Sequence, residues 1–249
     1  MRGALSYGVK RMNLYNFLYN GRGDQADIEA KDERPQGVRL FFATAQRYWR
    51  EIILLNILFI LSCIPIITIP AALKAASGMS FRYLMGDPVV WLSDYWALFK
   101  RNFLRTTVLG LAWILLLLGS GLSLSFYGGL IIGGRVFFII GGLISVLMIL
   151  VFFGMGLYLF PMMAMTDLPL RTMIKNAFCL AGLRILWTVL VLLLLAAIGA
   201  VYLFLYPIST IFLVLFGFSL PILIGTFCAY AGLWKYVLVS ENTEEALAP

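Results

Sequence analysis

The chain has 249 residues, of which 62% are hydrophobic and 12% are charged; it carries a net charge of +7 and contains no histidine. This composition excludes a single soluble domain and indicates an integral membrane protein. Without histidine, imidazole cannot act as a metal ligand or an acid–base catalyst. The cysteines, Cys63, Cys179 and Cys228, lie far apart in or beside apolar segments. Cysteine there usually acts as a small hydrophobic residue, so we expect no disulfide, metal site or cofactor.

The first part of the chain is polar. Residues 1–37 mix acidic and basic side chains and are predicted to form a cytoplasmic N-terminal arm without a signal peptide. In residues 38–51, VRLFFATAQRYWRE, aromatic side chains fall on one side of a helix and arginines fall elsewhere. This pattern predicts an interfacial amphipathic helix, and a lipid- or partner-sensing helix is the alternative.

Apolar runs of about twenty residues then predict membrane-spanning helices rather than a β-barrel. With only five spans, the basic residues of two later loops would face outward, against the positive-inside rule. A weaker sixth span returns nearly every basic loop to the cytoplasm. We therefore predict an all-α, polytopic bundle in residues 52–234, with about six spans in three hairpins and a cytoplasmic C-tail at 235–249. The predicted spans lie near 52–67, 68–85, 106–127, 136–165, 185–206 and 208–233.

Two predicted cytoplasmic turns, 87–105 and 166–184, each lead from an aspartate and a proline to a patch with a basic residue, an asparagine and a phenylalanine. The two turns could form one docking surface for a partner. In the simpler interpretation, each proline starts a short surface helix whose basic residues meet lipid headgroups. The candidate partner contacts are Trp91, Asp94, Tyr95, Trp96, Phe99, Lys100, Asn102, Phe103, Asp167, Arg171, Lys175 and Asn176.

Two polar residues are predicted to lie inside the membrane. Asn56, in the first span, is expected to form a hydrogen bond between helices rather than to bind a ligand. Lys74 lies near the outer end of the span 68–85, so its side chain is predicted to extend outward to the headgroups. In the alternative interpretation, its amine faces a cavity or a partner.

The sequence also argues against several functions. It has no G-x-x-x-x-G-K-[ST] phosphate loop, so it is not an ATPase by itself. All twelve acidic residues fall outside the predicted spans, which disfavours an ion-coupled carrier. No serine has a base nearby at membrane depth, and we expect no enzyme. The basic residues flank the membrane without a recognition motif, so the expected partner is the lipid bilayer and not nucleic acid.

Several stretches in order resemble the YesL-like family of bacterial membrane proteins, a domain of unknown function. They are LFFATAQRYWREIILLNILFILSCIPIITIPAA, DYWALFKRNF and YLFPMMAMTDLPLRTMIKNAF. The shared features are Asn56 before Pro65–Ile69, and the spacing Asp94, Phe99, Lys100 and Asn102; Pro70 stands where the family pattern has glycine.

Such proteins are often encoded beside carbohydrate ABC importers. The resemblance therefore implies a protein of the bacterial cytoplasmic membrane, and the six predicted spans with their basic loops place both termini in the cytoplasm. The resemblance also implies an accessory or assembly subunit that binds the permease, ATPase or solute-binding protein of a sugar importer. No catalytic residues carry over from the family. The alternative function is a stand-alone small-molecule transporter, either a uniporter or an exporter.

Overall fold

The computed structural model describes residues 37–207 and 209–233, and every regular element in this part of the chain is helical. The predicted all-helical class is confirmed for these residues. The predicted arm, apart from residue 37, and the C-tail lie outside them. The described helices are α1 Val38–Arg47, α2 Trp49–Ser62, α3 Ile69–Met85, α4 Trp91–Lys100, α5 Phe103–Ile132, α6 Ile139–Met165, α7 Leu170–Leu183, α8 Ile185–Phe204, α9 Ser209–Phe216 and α10 Ser219–Leu233, with short 3₁₀ turns at Ile66–Thr68 and Val136–Phe138.

The chain divides into two compact units, Met1–Ala43 and Thr44–Pro249. The described part of the first unit is residues 37–43, where α1 begins. Within it, the rings of Phe41 and Phe42 meet edge to face, with their centroids 5.6 Å apart. The features that follow all belong to the second unit.

Three of the described helices, α5, α6 and α8, are long and apolar enough to cross a membrane. Helices α9 and α10 meet at a bend of 52° and provide a fourth crossing if they form one broken span. The helices at the first two predicted spans are shorter, since α2 has 14 residues and α3 has 17. A membrane protein with several spanning helices is thus supported, while the count of six, the three hairpins and the domain boundaries stay predictions.

Helix α3 lies in the middle of the second unit and contacts α2, α4, α5, α6 and α10. Its alanines at positions 71, 72, 75 and 76 are fully buried. Small side chains let neighbouring backbones approach closely, which is how helices pack in a lipid environment that gives little hydrophobic drive. Helices α5 and α6 form a long antiparallel pair, in which Trp113 Nε1 donates to the Phe152 carbonyl at 2.7 Å and the Ser123 and Ser145 hydroxyls lie 2.7 Å apart.

Two short helices return along the helix that precedes them. Helix α4 runs back along α3, since Asp94 pairs with Arg82 and Leu98 packs against Gly78. Helix α7 runs back along α6, and Ala181 approaches Gly154. The short helices predicted after the two prolines are therefore present. Because α4 and α7 each run back along the preceding helix, α5 begins partway along α3 and α8 begins partway along α6.

The contact between α5 and α3 at Gly110 gives a test of this packing. A Cβ atom at Gly110 would collide with the Cβ of Pro70 and lie 2.8 Å from its Cγ, whereas a Cβ at Gly119 on the same helix meets nothing within 4 Å. Overpacking of this kind typically costs about 1–3 kcal/mol. We expect Gly110→Ala to lower the thermal unfolding midpoint in detergent.

The matched control is Gly119→Ala, which should leave the midpoint unchanged or raise it, because alanine favours a helix by about 1 kcal/mol over glycine. Equal midpoints for the two variants would contradict the close approach of α5 and α3.

Candidate partner-binding surface

The first predicted turn presents aromatic side chains to the outside of the molecule. Trp91 and Trp96, on α4, are 38% and 41% exposed. The ring of Trp96 meets Phe99 edge to face at 5.2 Å, and Phe99 lies 5.5 Å from Phe103. These contacts form a row of aromatic rings that runs from α4 into the start of α5, and the exposed Lys100 lies on the same segment.

Asp94 supports this segment from within. Its carboxylate accepts a hydrogen bond from the backbone N–H of Val90 at 2.9 Å and pairs with the Arg82 guanidinium at 3.4 Å. A carboxylate in the first turn of a helix bonds to the free N–H groups there and favours the positive end of the helix dipole. Asp94 therefore positions α4 on α3, and its predicted role as a partner contact stays untested.

Tyr95 requires a correction, because sequence reasoning placed it among the partner contacts. It is fully buried, with its ring stacked 6.3 Å from that of Phe99. Burial raises the pKa of its hydroxyl above the ordinary value of 10.0, so the side chain stays neutral at physiological pH. Tyr95 belongs to the core beneath the surface.

The second predicted turn contributes the basic helix α7. Arg171 and Lys175 are exposed, together with Ile174 and Phe178, and Phe178 is 57% exposed. Asn176 is half-buried on the same helix. Alternation of basic and apolar groups on an exposed surface suits either lipid headgroups or a protein partner.

The structure joins the two turns. The Arg101 guanidinium forms an ion pair with Asp167 and donates to the Ala164 carbonyl at 3.3 Å, while the Asn102 amide approaches the Asp167 carboxylate at 3.4 Å. Arg105 adds a hydrogen bond to the Leu168 carbonyl. An exposed ion pair alone is worth no more than about 1 kcal/mol, but several bonds at one junction hold the two turns in register.

We call the joined segments 87–105 and 166–184 the two-turn surface. Its predicted contacts thus lie on two segments that meet at one junction. Sequence reasoning missed Arg101 and Arg105 as site residues, although both lie in or beside the basic patch that marked the first turn.

The hydrogen bond between helices that was predicted for Asn56 is present. Its amide donates to the carbonyls of Leu213 and Val214 at 3.1 and 2.6 Å, and its side-chain oxygen accepts from the N–H groups of Phe218 and Ser219, both at 2.9 Å. The side chain is fully buried. It therefore completes the backbone hydrogen bonding at the bend between α9 and α10.

The Lys74 side chain does not extend out of the molecule, so the first interpretation of this residue is wrong. It is 1% exposed, and its ammonium donates to the backbone carbonyl of Arg101, just past the end of α4. A helix carries partial negative charge at its C-terminus, which favours a cation there. Lys74 is thus a buried contact that fastens the end of α4 to α3.

A partly open cavity of about 150 Å³ lies between α3, α5, α6, α8 and α10. Its walls are almost entirely apolar and include Leu73, Trp113 and Pro221. Thr226 lines it with a buried hydroxyl that has no hydrogen-bond partner, and Ser77 supplies the other lining hydroxyl. A sugar needs many convergent hydrogen-bonding groups, so this cavity suits a small apolar molecule better.

Residues 52–124 match a family model described as "Protein of unknown function, DUF624". The match covers most of α2, all of α3 and α4 and most of α5, and so includes Asn56, Lys74 and the first of the two turns. It is consistent with the YesL-like resemblance. No curated protein and no solved structure matches the chain.

The bonds of Asn56 predict that its loss destabilises the protein. Asn56→Ala would leave two carbonyls and two N–H groups without this partner at the bend. At roughly 0.6 kcal/mol for each bond in membrane helices, we expect a loss of about 2 kcal/mol. Thermal unfolding of the purified protein in detergent measures it.

Asn176→Ala provides the control, since it removes an asparagine from α7, away from the bend. It should change the midpoint little. If Asn56→Ala unfolds at the wild-type temperature, the side chain does not stabilise the bend.

Proposed function

We propose that the protein is a non-enzymatic accessory or assembly subunit of a carbohydrate ABC uptake system in the bacterial cytoplasmic membrane. The observation that supports this role is the two-turn surface, in which exposed aromatic rings lie on the same segments as lysines and arginines. Aromatic residues and arginine are enriched in protein interfaces. The link to carbohydrate uptake comes from the family resemblance.

Any nucleotide-driven transport by this chain must draw its energy from a partner. Its sequence has no phosphate-binding loop. Its predicted spans contain no acidic residue to bind a driving ion. A subunit that binds the permease, ATPase or solute-binding protein of an importer fits both properties.

We also propose that both termini lie in the cytoplasm. The basic loops support this orientation by the positive-inside rule, and the single Arg135 falls in the opposite loop, between α5 and α6. Any even number of crossings keeps this arrangement. Six crossings, as predicted from the sequence, and four crossings satisfy it equally.

The partner role is tested by affinity purification from the native membrane. We expect the wild-type protein to recover ABC importer subunits, and Trp91→Ala/Trp96→Ala to recover far less at equal membrane levels. The control variant, Leu193→Ala/Leu203→Ala, removes residues of α8 that are 68% and 82% exposed. It should recover the partners as the wild type does.

Two outcomes count against the partner role. Recovery of the wild-type protein with no permease, ATPase or solute-binding protein would overturn it. Recovery of the partners by Trp91→Ala/Trp96→Ala at the wild-type level would show that this part of the two-turn surface is not the contact.

The second candidate function is a stand-alone uniporter or exporter, and the apolar cavity beside Trp113 and Thr226 favours it. A solute for this cavity would be small and largely apolar. Movement of such a solute by the purified protein in liposomes, with no added subunit, would support this function in place of the accessory role.

A further inference from the structure

The α2–α3 hairpin ends in an exposed apolar tip. Leu61, Ile64, Ile66 and Ile67 are 56%, 74%, 77% and 58% exposed. Soluble surfaces rarely expose so many adjacent large apolar residues, and such patches usually mark a contact with a membrane or a protein. We call these four residues the isoleucine tip.

The position of the tip is fixed by its contact with α5. Pro70, at the start of α3, packs against Gly110, which lies only seven residues after α5 begins. One turn further along α3, Lys74 reaches the carbonyl of Arg101, just before α5. Helix α3 therefore runs antiparallel to α5, and the hairpin tip is level with the second turn of α5 rather than with its far end.

The part of α5 beyond this level matches a bilayer. From Gly110 to Ile132 it extends about 33 Å at 1.5 Å per residue, against a hydrocarbon core of about 30 Å. It contains no charged residue, and Leu115 and Leu122 on it are 68% and 73% exposed. Helix α6 pairs with it along this length, as the contact of Ser123 with Ser145 shows.

A second crossing by the hairpin would not fit the same bilayer. Helix α3 continues from Pro70 to Met85 in the opposite direction for about 22 Å. The bilayer would then have to cover about 55 Å, nearly twice its hydrocarbon core. A bilayer shifted toward the cytoplasm to cover α3 would leave the exposed leucines of α5 in water.

Charges mark the same boundary. Lys74, Arg101, Arg105 and Asp167 cluster on the cytoplasmic side of the tip, about 6 to 13 Å from the level of Gly110 at 1.5 Å per residue, where the headgroup region should lie. Among the described residues, the charged side chain on the far side of this boundary is Arg135, in the loop after α5.

We propose that the α2–α3 hairpin does not cross the membrane and that its isoleucine tip inserts into the acyl chains of the cytoplasmic leaflet. The chain then crosses four times, through α5, α6, α8 and the bent pair α9–α10, and both termini stay cytoplasmic. The occupant of the tip is lipid because the tip is continuous with the lipid-facing surface of α5. This inference goes beyond the accessory role and does not depend on it.

Single-cysteine labelling tests the position of the tip. In the full chain with its three cysteines replaced, Ile66→Cys reports the tip, Arg135→Cys reports the outer loop and the restored Cys179, which is exposed on α7, reports the cytoplasmic side. We expect a membrane-impermeant maleimide to label Arg135→Cys in spheroplasts and Cys179 only in inside-out vesicles. Ile66→Cys should be labelled in neither until detergent is added.

Two labelling results would overturn the proposal. Labelling of Ile66→Cys in spheroplasts to the extent of Arg135→Cys would show that the hairpin crosses. Labelling in inside-out vesicles to the extent of Cys179 would show that the tip lies in water. Each variant is first required to elute as the wild type does in size-exclusion chromatography.

A spin label on Ile66→Cys, in the protein reconstituted into phospholipid vesicles, shows whether lipid or protein covers the tip. Contact with acyl chains predicts strong relaxation by oxygen, which concentrates in the bilayer, and weak relaxation by a water-soluble nickel complex. Protection from both agents would indicate that protein covers the tip and would also overturn the proposal.

Discussion

The bend between α9 and α10 depends on one side chain, that of Asn56. A helix that breaks exposes carbonyls at one end and N–H groups at the other. Where the break is buried no water can satisfy them, so another part of the protein must. Asn56 uses both amide hydrogens and both lone pairs of its oxygen for this purpose. A single residue of α2 thus allows the last apolar segment to turn by 52°.

Because Asn56 holds this bend, α2 is fixed against α9 and α10, and the hairpin that it starts is fixed with it. Cations fasten the other parts of the unit. Lys74 and Arg101 donate to carbonyls at the C-terminal ends of α4 and α6, and Arg105 and Arg184 donate to the carbonyls of Leu168 and Cys228. The chain has 19 basic and 12 acidic residues, so carboxylates cannot pair with every cation. At Lys74, the negative end of α4 takes the place of a carboxylate.

Much of the helical pattern could be predicted from the sequence, because apolar length and proline positions act locally. Helices lie at the predicted spans, and short helices follow Pro88 and Pro169. The bond formed by Asn56 was also predictable, since a buried amide within an apolar run needs a partner. Its four partners were not, because nothing in the run that contains Asn56 indicates a break 157 residues later.

Tyr95 and Lys74 show why the rest of the site could not be predicted. Tyr95 lies among exposed aromatic residues in the sequence, and only the return of α4 along α3 buries it. The sequence-based depth of Lys74 was counted from the N-terminal end of its own helix. That count assumes that this end reaches the outer surface of the membrane. The contact with Arg101 shows that the neighbouring helix α5 begins just beyond this point, at its basic end.

Charge counting constrains whether the number of crossings is even or odd, but not the number itself. A weak sixth span restored the positive-inside pattern because it made the count even, and removing two crossings preserves it equally well. Our proposal of four crossings rests on distance: α2 and α3 are 14 and 17 residues long, and Pro70, at the start of α3, meets α5 at Gly110. Local hydrophobicity cannot supply that contact. In the arrangement that we propose, the two-turn surface lies at the cytoplasmic boundary, where its basic and aromatic side chains can meet headgroups or a partner.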